Sequence, residues 1–263
     1  MSSSKNSKDA TNDWYKDARR KGTSVSGIVT FVALRALDLP IQYYLLRSNV
    51  GARLIQYLGG TAITIPPANT ATVLGLPPYY ATIVLMATGS AAKQIYWATR
   101  ISEQVLPPPF AILLAAYNTV LNSINTILSV WAWSSNSAPS GSSYSLTQGV
   151  GLLLYGTGLF TEWYCEVQRK RFKQDPRNQG KPYSGGLFGL ATNINYGGYT
   201  LWRTGYALYC AGLPWAGVMV AWLVGDFCAR AIPSMEGYCQ NKYGDQWTEV
   251  RRKVPYRLLP WIY

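Results

Sequence analysis

Apolar runs about twenty residues long alternate with short basic or Gly/Pro-rich stretches along most of this chain. The first, over residues 24–46 (SVSGIVTFVALRALDLPIQYYLL), is long enough to cross a hydrocarbon core of ~30 Å. Pro40 lies inside it as a potential kink. Gly59-Gly60, Pro66-Pro67 and Pro77-Pro78 then mark residues 47–78 as a loop, with room for a short segment lying at the interface. Further runs cover 79–98, 110–133 (after Pro107-Pro108-Pro109) and 146–165. Two shorter ones, 196–212 and 214–232, predict a helical hairpin broken at Leu213-Pro214. The pattern therefore predicts an all-α, polytopic membrane bundle of six transmembrane helices, ended by an amphipathic basic tail over 233–263.

Polar side chains interrupt these runs at helical spacing. An ionisable group or amide in hydrocarbon costs a few kcal/mol, so each is a candidate functional position by default. The ordinary alternative is interhelical hydrogen bonding worth ~0.6 kcal/mol apiece. Asn118, Asn122 and Asn125 form a stripe that suits either interhelical bonding or a substrate cavity. Arg35 and Asp38, three residues apart, read as a mutually neutralising structural pair, as do Asp226 and Arg230. Lys93 shares a face with Trp97 and Arg100 and reads as a snorkelling side chain, while Trp131 and Trp133 suit an interfacial belt. Glu162 and Glu166 lie on one face, continued by Arg169 or Lys170 and then Lys173. Those carboxylates could hold ribose hydroxyls or organise phosphate-binding arginines. Tyr196, Tyr199, Arg203 and Tyr206 present phenols beside a cation, a combination able to polarise a carbonyl.

Charge supplies a topology. Only 14% of residues are charged, against roughly 25% in average soluble proteins. Most of the net charge of +12 lies in residues 1–23, 166–181 and 236–263, which flank apolar runs. That placement fits membrane topology and anionic lipid headgroups better than nucleic acid. With six spans and both termini cytosolic, these clusters and 93–100 share one side. The uncharged loop 134–145 faces the other, where only Arg47 and Arg53 run against the bias. The expected organisation is a polar cytosolic tail (1–23), an N-terminal, substrate-side helical part (24–145) and a C-terminal, cofactor-side part (146–263). The start has no apolar h-region, so no cleaved signal peptide is expected. Histidine is absent, which removes His-based triads and most zinc sites, and no metal centre is expected. Cys165, Cys210, Cys228 and Cys239 form no CxxC pair and read as reduced structural thiols. No GxGxxG, Walker A or HExxH pattern occurs.

One ordered set of residues carries a family resemblance. Glu162, Glu166, Gln168, Phe172, Lys173, Asp175, Pro176, Asn178, Gly180 and Lys181 are followed by Gly186–Phe188 and by Asn195, Tyr196 and Gly198. With the ending KYGDQWTEVRRKVPYRLLPWIY, this resembles the steroid 5α-reductase C-terminal domain superfamily over about residues 146–263. Residues 1–145 resemble only its uncharacterised branch. The resemblance implies a helix bundle in the endoplasmic reticulum membrane that binds NADPH in its C-terminal half. Hydride would pass to an activated C=C bond of a sterol, terpenoid or polyketide-like lipophilic substrate. Carried over, Glu162, Glu166, Gln168, Arg171, Asn178, Asn195, Tyr196 and Glu236 fall on the cofactor side. Tyr196, Tyr199 and Arg203 become the catalytic candidates, and Asn118, Asn122 and Asn125 the substrate-side ones.

Two departures keep other readings open. The family's Arg-His-Pro before Asn-Tyr is Thr192-Asn193-Ile194 here, and Tyr199 stands where an acidic residue is common. Isoprenylcysteine and phospholipid methyltransferases, which use S-adenosylmethionine, share a related segment, and Tyr199 after Gly198 is slightly like theirs. A catalytically degenerate scaffold or lipid-binding protein is the third reading.

Overall fold

A computed structural model describes residues 22–48, 50–62, 73–135 and 145–263. The tail expected over 1–21, the loop part 63–72 with Pro66-Pro67, and most of the uncharged loop (136–144) lie outside the described residues.

The helices are α1 (Val25–Arg47), α2 (Val50–Tyr57), α3 (Pro78–Tyr96), α4 (Pro108–Ser134), α5 (Leu146–Gln174), α6 (Ile194–Asp226), α7 (Ile232–Tyr243) and α8 (Asp245–Lys253). Local chemistry sets their starts. Ser24 caps α1 by accepting from Gly27 N at 3.3 Å, and Pro78 and Pro108 occupy the first turns of α3 and α4. Ser145 and Gln148 form a reciprocal capping box on α5. Pro40 does not end α1, which continues to Arg47.

Burial is inverted relative to a water-soluble bundle. On α1 the buried face carries Arg35, Asp38 and Gln42, while Val25, Val29, Leu37 and Tyr44 point outward. On α4 the asparagines are buried while Ile112, Leu113 and Val120 are exposed. Apolar surface facing out and polar groups facing in is the arrangement hydrocarbon demands. Among the described residues, three helical runs are long and apolar enough to cross a membrane: Val25–Arg47 and Pro108–Ser134, each with mean hydropathy 1.4, and Ile194–Tyr243 at 1.7. The chain is a membrane protein. Of the six segments expected from the sequence, these runs hold four, since Ile194–Tyr243 includes both 196–212 and 214–232, and α3 and α5 fall short of the same combination of length and hydropathy. The 19-residue α3 ends on Lys93-Gln-Ile-Tyr, and the glycines and hydroxyl residues of α5 lower its hydropathy.

The longest run reverses on itself. Tyr196 and Phe227 would lie about 46 Å apart on a straight helix, at 1.5 Å per residue. Their rings instead stack at 4.8 Å with 9° between planes. The turn is at Gly212, whose φ of 73° and ψ of −166° are non-helical, followed by Pro214. The two segments expected at 196–212 and 214–232 are the arms of this hairpin.

The first arm of α6 runs against α5 at backbone contact. A Cβ added to Gly158 would sit 2.4 Å from Trp202 N and 2.7 Å from Gly198 O. One added to Gly205 would lie 2.4 Å from Tyr155 N and 2.5 Å from Gly151 O. Glycines seven residues apart on each helix, Gly151/Gly158 and Gly198/Gly205, therefore face one another and remove the side-chain layer. At the far end Tyr79 stacks between Trp133 (5.5 Å) and Tyr209 (5.4 Å) and donates to Cys210 O at 2.6 Å. Trp133 is thus a packing residue, not the interfacial anchor expected, whereas Trp131 is half exposed.

The tail closes the opposite end. Glu236 of α7 pairs with Arg251 (3.4 Å) and Arg257 (3.3 Å), and the chain returns across the start of α6. Thr192 N donates to Tyr256 O at 3.0 Å and Asn193 N to Arg257 O at 2.9 Å. Gly197 lets Leu258 O approach to within 2.4 Å of where a Cβ would stand.

Candidate functional site

Where α5 emerges beside α7 and α8, a cavity of ≈290 Å³ opens between Trp97, Glu166, Asn195, Tyr196 and Trp247. Four cations line it: Arg169, Lys170, Lys173 and Lys242. Arg169 is paired with Glu166, whose Oε1 also accepts from Asn195 Nδ2 at 3.0 Å. Lys170 donates to Arg100 O, Lys173 to the Tyr243 hydroxyl at 3.0 Å and Lys242 to the Tyr238 hydroxyl at 3.0 Å. These bonds orient the lysines without neutralising them. Among the described residues no carboxylate pairs with Lys170, Lys173 or Lys242. Tyr183, Phe188, Tyr196, Tyr243 and Trp247 supply flat walls between the charges. Thr192 and Asn193 also line the cavity, so it is neutral at the positions where the resembling family carries Arg and His.

The loop beneath the cavity is fastened from α5. Gln168 Oε1 accepts from Leu187 N at 3.0 Å, and Asn178 Nδ2 donates to Phe172 O at 3.1 Å. Arg177 holds the Asp175 carboxyl below the ordinary carboxylate range through a side-chain hydrogen bond. Gly186 sits at φ 53°, and a Cβ there would lie 2.4 Å from Gln168 Oε1. Gly186→Ala should therefore destabilise the protein by about 1–3 kcal/mol, from left-handed backbone strain and the displaced Gln168. A detergent melting curve would measure it, and Gly180→Ala, with open space around it, isolates the backbone part.

A second polar constellation lies deeper, between α1, α3, α4 and the first arm of α6. Asp38 Oδ2 accepts from Arg35 Nη1 (3.2 Å) and Asn122 Nδ2 (2.7 Å), and its Oδ1 accepts from Gln42 Nε2 (2.8 Å). Arg203 donates through Nη1 to Asn122 Oδ1 (2.9 Å), through Nη2 to Asn118 Oδ1 and through Nε to the Tyr199 hydroxyl (3.2 Å). Gln94 Nε2 donates to Asn118 Oδ1 at 2.7 Å. Trp215 Nε1 donates to Asn125 Oδ1 at 2.6 Å, so the third asparagine of the stripe fastens the second arm of the hairpin.

Glu162 stands between the two constellations. It is ion-paired with Lys93 and accepts from Trp202 Nε1 at 2.7 Å. The Lys93 ammonium lies 5.9 Å from the centre of the Trp202 ring and the Arg203 guanidinium 4.3 Å from it. Lys93 therefore does not snorkel as its position suggested, because the partly buried Glu162 carboxylate on α5 is the stronger partner.

Of the residues singled out from sequence, the cavity gathers Glu166, Asn195 and Tyr196. Tyr199, Arg203, Asn118 and Asn122 lie together in the deeper network, and Asn125 is one turn further along. Glu162 joins Lys93 and Trp202. Gln168, Asn178 and Glu236 tie loop and tail, and Arg171 is exposed outside the cavity. Trp97, Lys242, Tyr243 and Trp247 were not anticipated as lining residues. The signal for the last three was an aromatic and basic run in the tail, and for Trp97 its place on one helix face with Lys93 and Arg100.

The fold and cavity define an all-helical membrane protein with a cationic, aromatic-walled site at one end of its bundle. The chain matches the family described as "Protein of unknown function (DUF1295)" over residues 110–253, more than half its length, and belongs to that family. It is 32% identical over 230 residues to a probable O-methyltransferase, ustE, of Ustilaginoidea virens, covering 84% of this chain and 81% of the other. It is 33% identical over 90 residues to the 7-dehydrocholesterol reductase of Danio rerio, covering 33% of this chain and 18% of that one. Similarity to the Delta(14)-sterol reductase of Methylotuvimicrobium alcaliphilum is 28% over 129 residues, 43% of this chain and 30% of the other. The chain thus spans less than a third of the length of these sterol reductases.

Proposed function

We propose that the protein is a membrane reductase that uses NADPH to reduce an activated C=C bond of a lipophilic, sterol-, terpenoid- or polyketide-like substrate. In this reading the bundle crosses the endoplasmic reticulum membrane six times with both termini cytosolic. The observation that carries the reading is the set of three unneutralised lysines beside Arg169 in one aromatic-walled cavity. A pyrophosphate with a further ribose phosphate matches that charge, whereas S-adenosylmethionine, whose sulfonium and ammonium outweigh its one carboxylate, brings a net positive charge into a site already positive. The volume is at the low end of the roughly 300–1,000 Å³ of small-molecule sites, so phosphate pairing at an open mouth supports the fit more than enclosure does.

When bound, NADPH supplies the hydride. Arg169, Lys170, Lys173 and Lys242 would hold its phosphates, with Glu166 and Asn195 positioned for ribose hydroxyls. The Tyr196 ring, backed by Phe227, gives a flat wall for a nicotinamide. The Tyr199 oxygen accepts from Arg203, which sets a phenol beside a cation, a pairing suited to polarising a substrate carbonyl.

Equilibrium titration of purified protein with NADPH is the test. Changing both Lys173 and Lys242 to Gln should weaken binding by about tenfold or more and flatten its salt dependence. No NADPH binding at millimolar concentration would end the reading.

The methyltransferase reading is favoured by the length of the match to the probable O-methyltransferase, and it predicts thermal protection by S-adenosylhomocysteine instead. Binding of neither compound would point to a scaffold or lipid-binding role. In that case Thr192→Arg with Asn193→His would be the variant expected to gain NADPH affinity.

A further inference from the structure

We infer that the deep polar network is a receptor for a carboxylate carried by a membrane-soluble molecule, bound on the free edge of Arg35. Arg35 is fully buried and uses only Nη1, which donates to Asp38 Oδ2 (3.2 Å) and Thr119 Oγ1 (3.3 Å). Its Nε and Nη2 are buried without a hydrogen-bond partner. Those two N–H groups point the same way from one edge of the guanidinium plane, the geometry that takes both oxygens of a carboxylate. Leaving two charged donors unpaired in a buried site is costly, so the edge calls for an acceptor.

Charge gives an independent reason. Arg203, 1% exposed, spends its three nitrogens on two amides and a phenol, all neutral. Among the described residues of the network Asp38 is the one carboxylate facing two guanidinium groups. A water molecule would satisfy the donors and leave the excess positive charge in low dielectric; a monoanion satisfies both. The surroundings select a lipophilic acid, since Phe31, one turn before Arg35 among the buried residues of α1, packs with Leu34 and Leu114 in an apolar cluster. No nicotinamide cofactor enters this argument, so the outcome of the NADPH titration leaves it untouched.

The test uses the detergent-purified full chain with dodecanoate, dodecanol and acetate, read by native mass spectrometry and thermal shift. Dodecanoate is expected to bind about tenfold or more tightly than dodecanol, the gain from charge-assisted pairing. In Arg35→Gln the two should come within about twofold of each other, and Arg35→Lys, which keeps charge but loses the paired edge, should fall between. Arg230→Gln, at an exposed ion pair, should keep the wild-type preference. Acetate binding as tightly as dodecanoate would overturn the assignment to a membrane-soluble acid. Equal binding of dodecanoate and dodecanol to the wild-type chain would overturn the proposal, even if no Arg35 variant folds. A preference that survives Arg35→Gln would overturn it as well.

Discussion

Gly158→Val is expected to yield protein that no longer runs as a monodisperse species in detergent. The added Cβ would meet Trp202 N at 2.4 Å and Gly198 O at 2.7 Å, both backbone atoms that no rotamer change can move. Overpacking a core that can adjust costs about 1–3 kcal/mol, and a backbone clash inside a helix crossing should exceed that range. The consequence reaches the cavity. Separating α5 from α6 draws Trp202 away from Glu162 and Asn195 away from Glu166, whose bonds of 2.7 and 3.0 Å both span this crossing. Gly156→Val on the same helix is the control, because nothing lies within 4 Å of its added Cβ. Size-exclusion profiles and melting curves of the two variants side by side decide it. A Gly158 variant that melts with the wild type would mean the crossing is looser than backbone contact.

That crossing also shows what periodicity reveals and what it hides. Hydrophobic runs located every long helix, because hydrocarbon imposes a length that sequence alone displays. The break at Leu213-Pro214 foretold a hairpin, since proline after a glycine able to adopt positive φ ends one arm and begins the next. The facing pairs Gly151/Gly158 and Gly198/Gly205 were readable too, as glycines seven apart on two helices, but spacing does not say which helix meets which. The same limit governs the polar residues. Arg35 and Asp38 were legible as a pair because both lie on one helix. Lys93 with Glu162, and Arg203 with Asn118 and Asn122, were not, because each joins residues that only the packing brings together. At the cavity, Glu166, Asn195 and Tyr196 were visible through a family pattern. Trp97 and Trp247 enter from opposite ends of the chain and no local signal pairs them.

The asymmetry of the deep network leads to the other large effect. Asp38→Asn keeps the shape of the side chain and removes the one carboxylate that, among the described residues, faces Arg35 and Arg203, so the network should lose about 3–5 kcal/mol, the cost of breaking a buried pair from one side. Both carboxylate oxygens are in use, with Gln42 Nε2 at 2.8 Å on one and Asn122 Nδ2 at 2.7 Å on the other, so an amide in their place must turn its NH₂ toward one of these donors. Removing both charges in Arg35→Met with Asp38→Leu should cost less than Asp38→Asn alone, because Arg203 then remains as one uncompensated buried cation rather than two. Thermal melts of the three proteins in one detergent test this order, and an Asp38→Asn protein within about 0.5 kcal/mol of wild type would refute a network held by that charge. Dodecanoate separates charge from shape in the same samples. Placed on the Arg35 edge it restores the missing negative charge, so it should raise the melting temperature of Asp38→Asn more than that of the wild type, while dodecanol should raise neither.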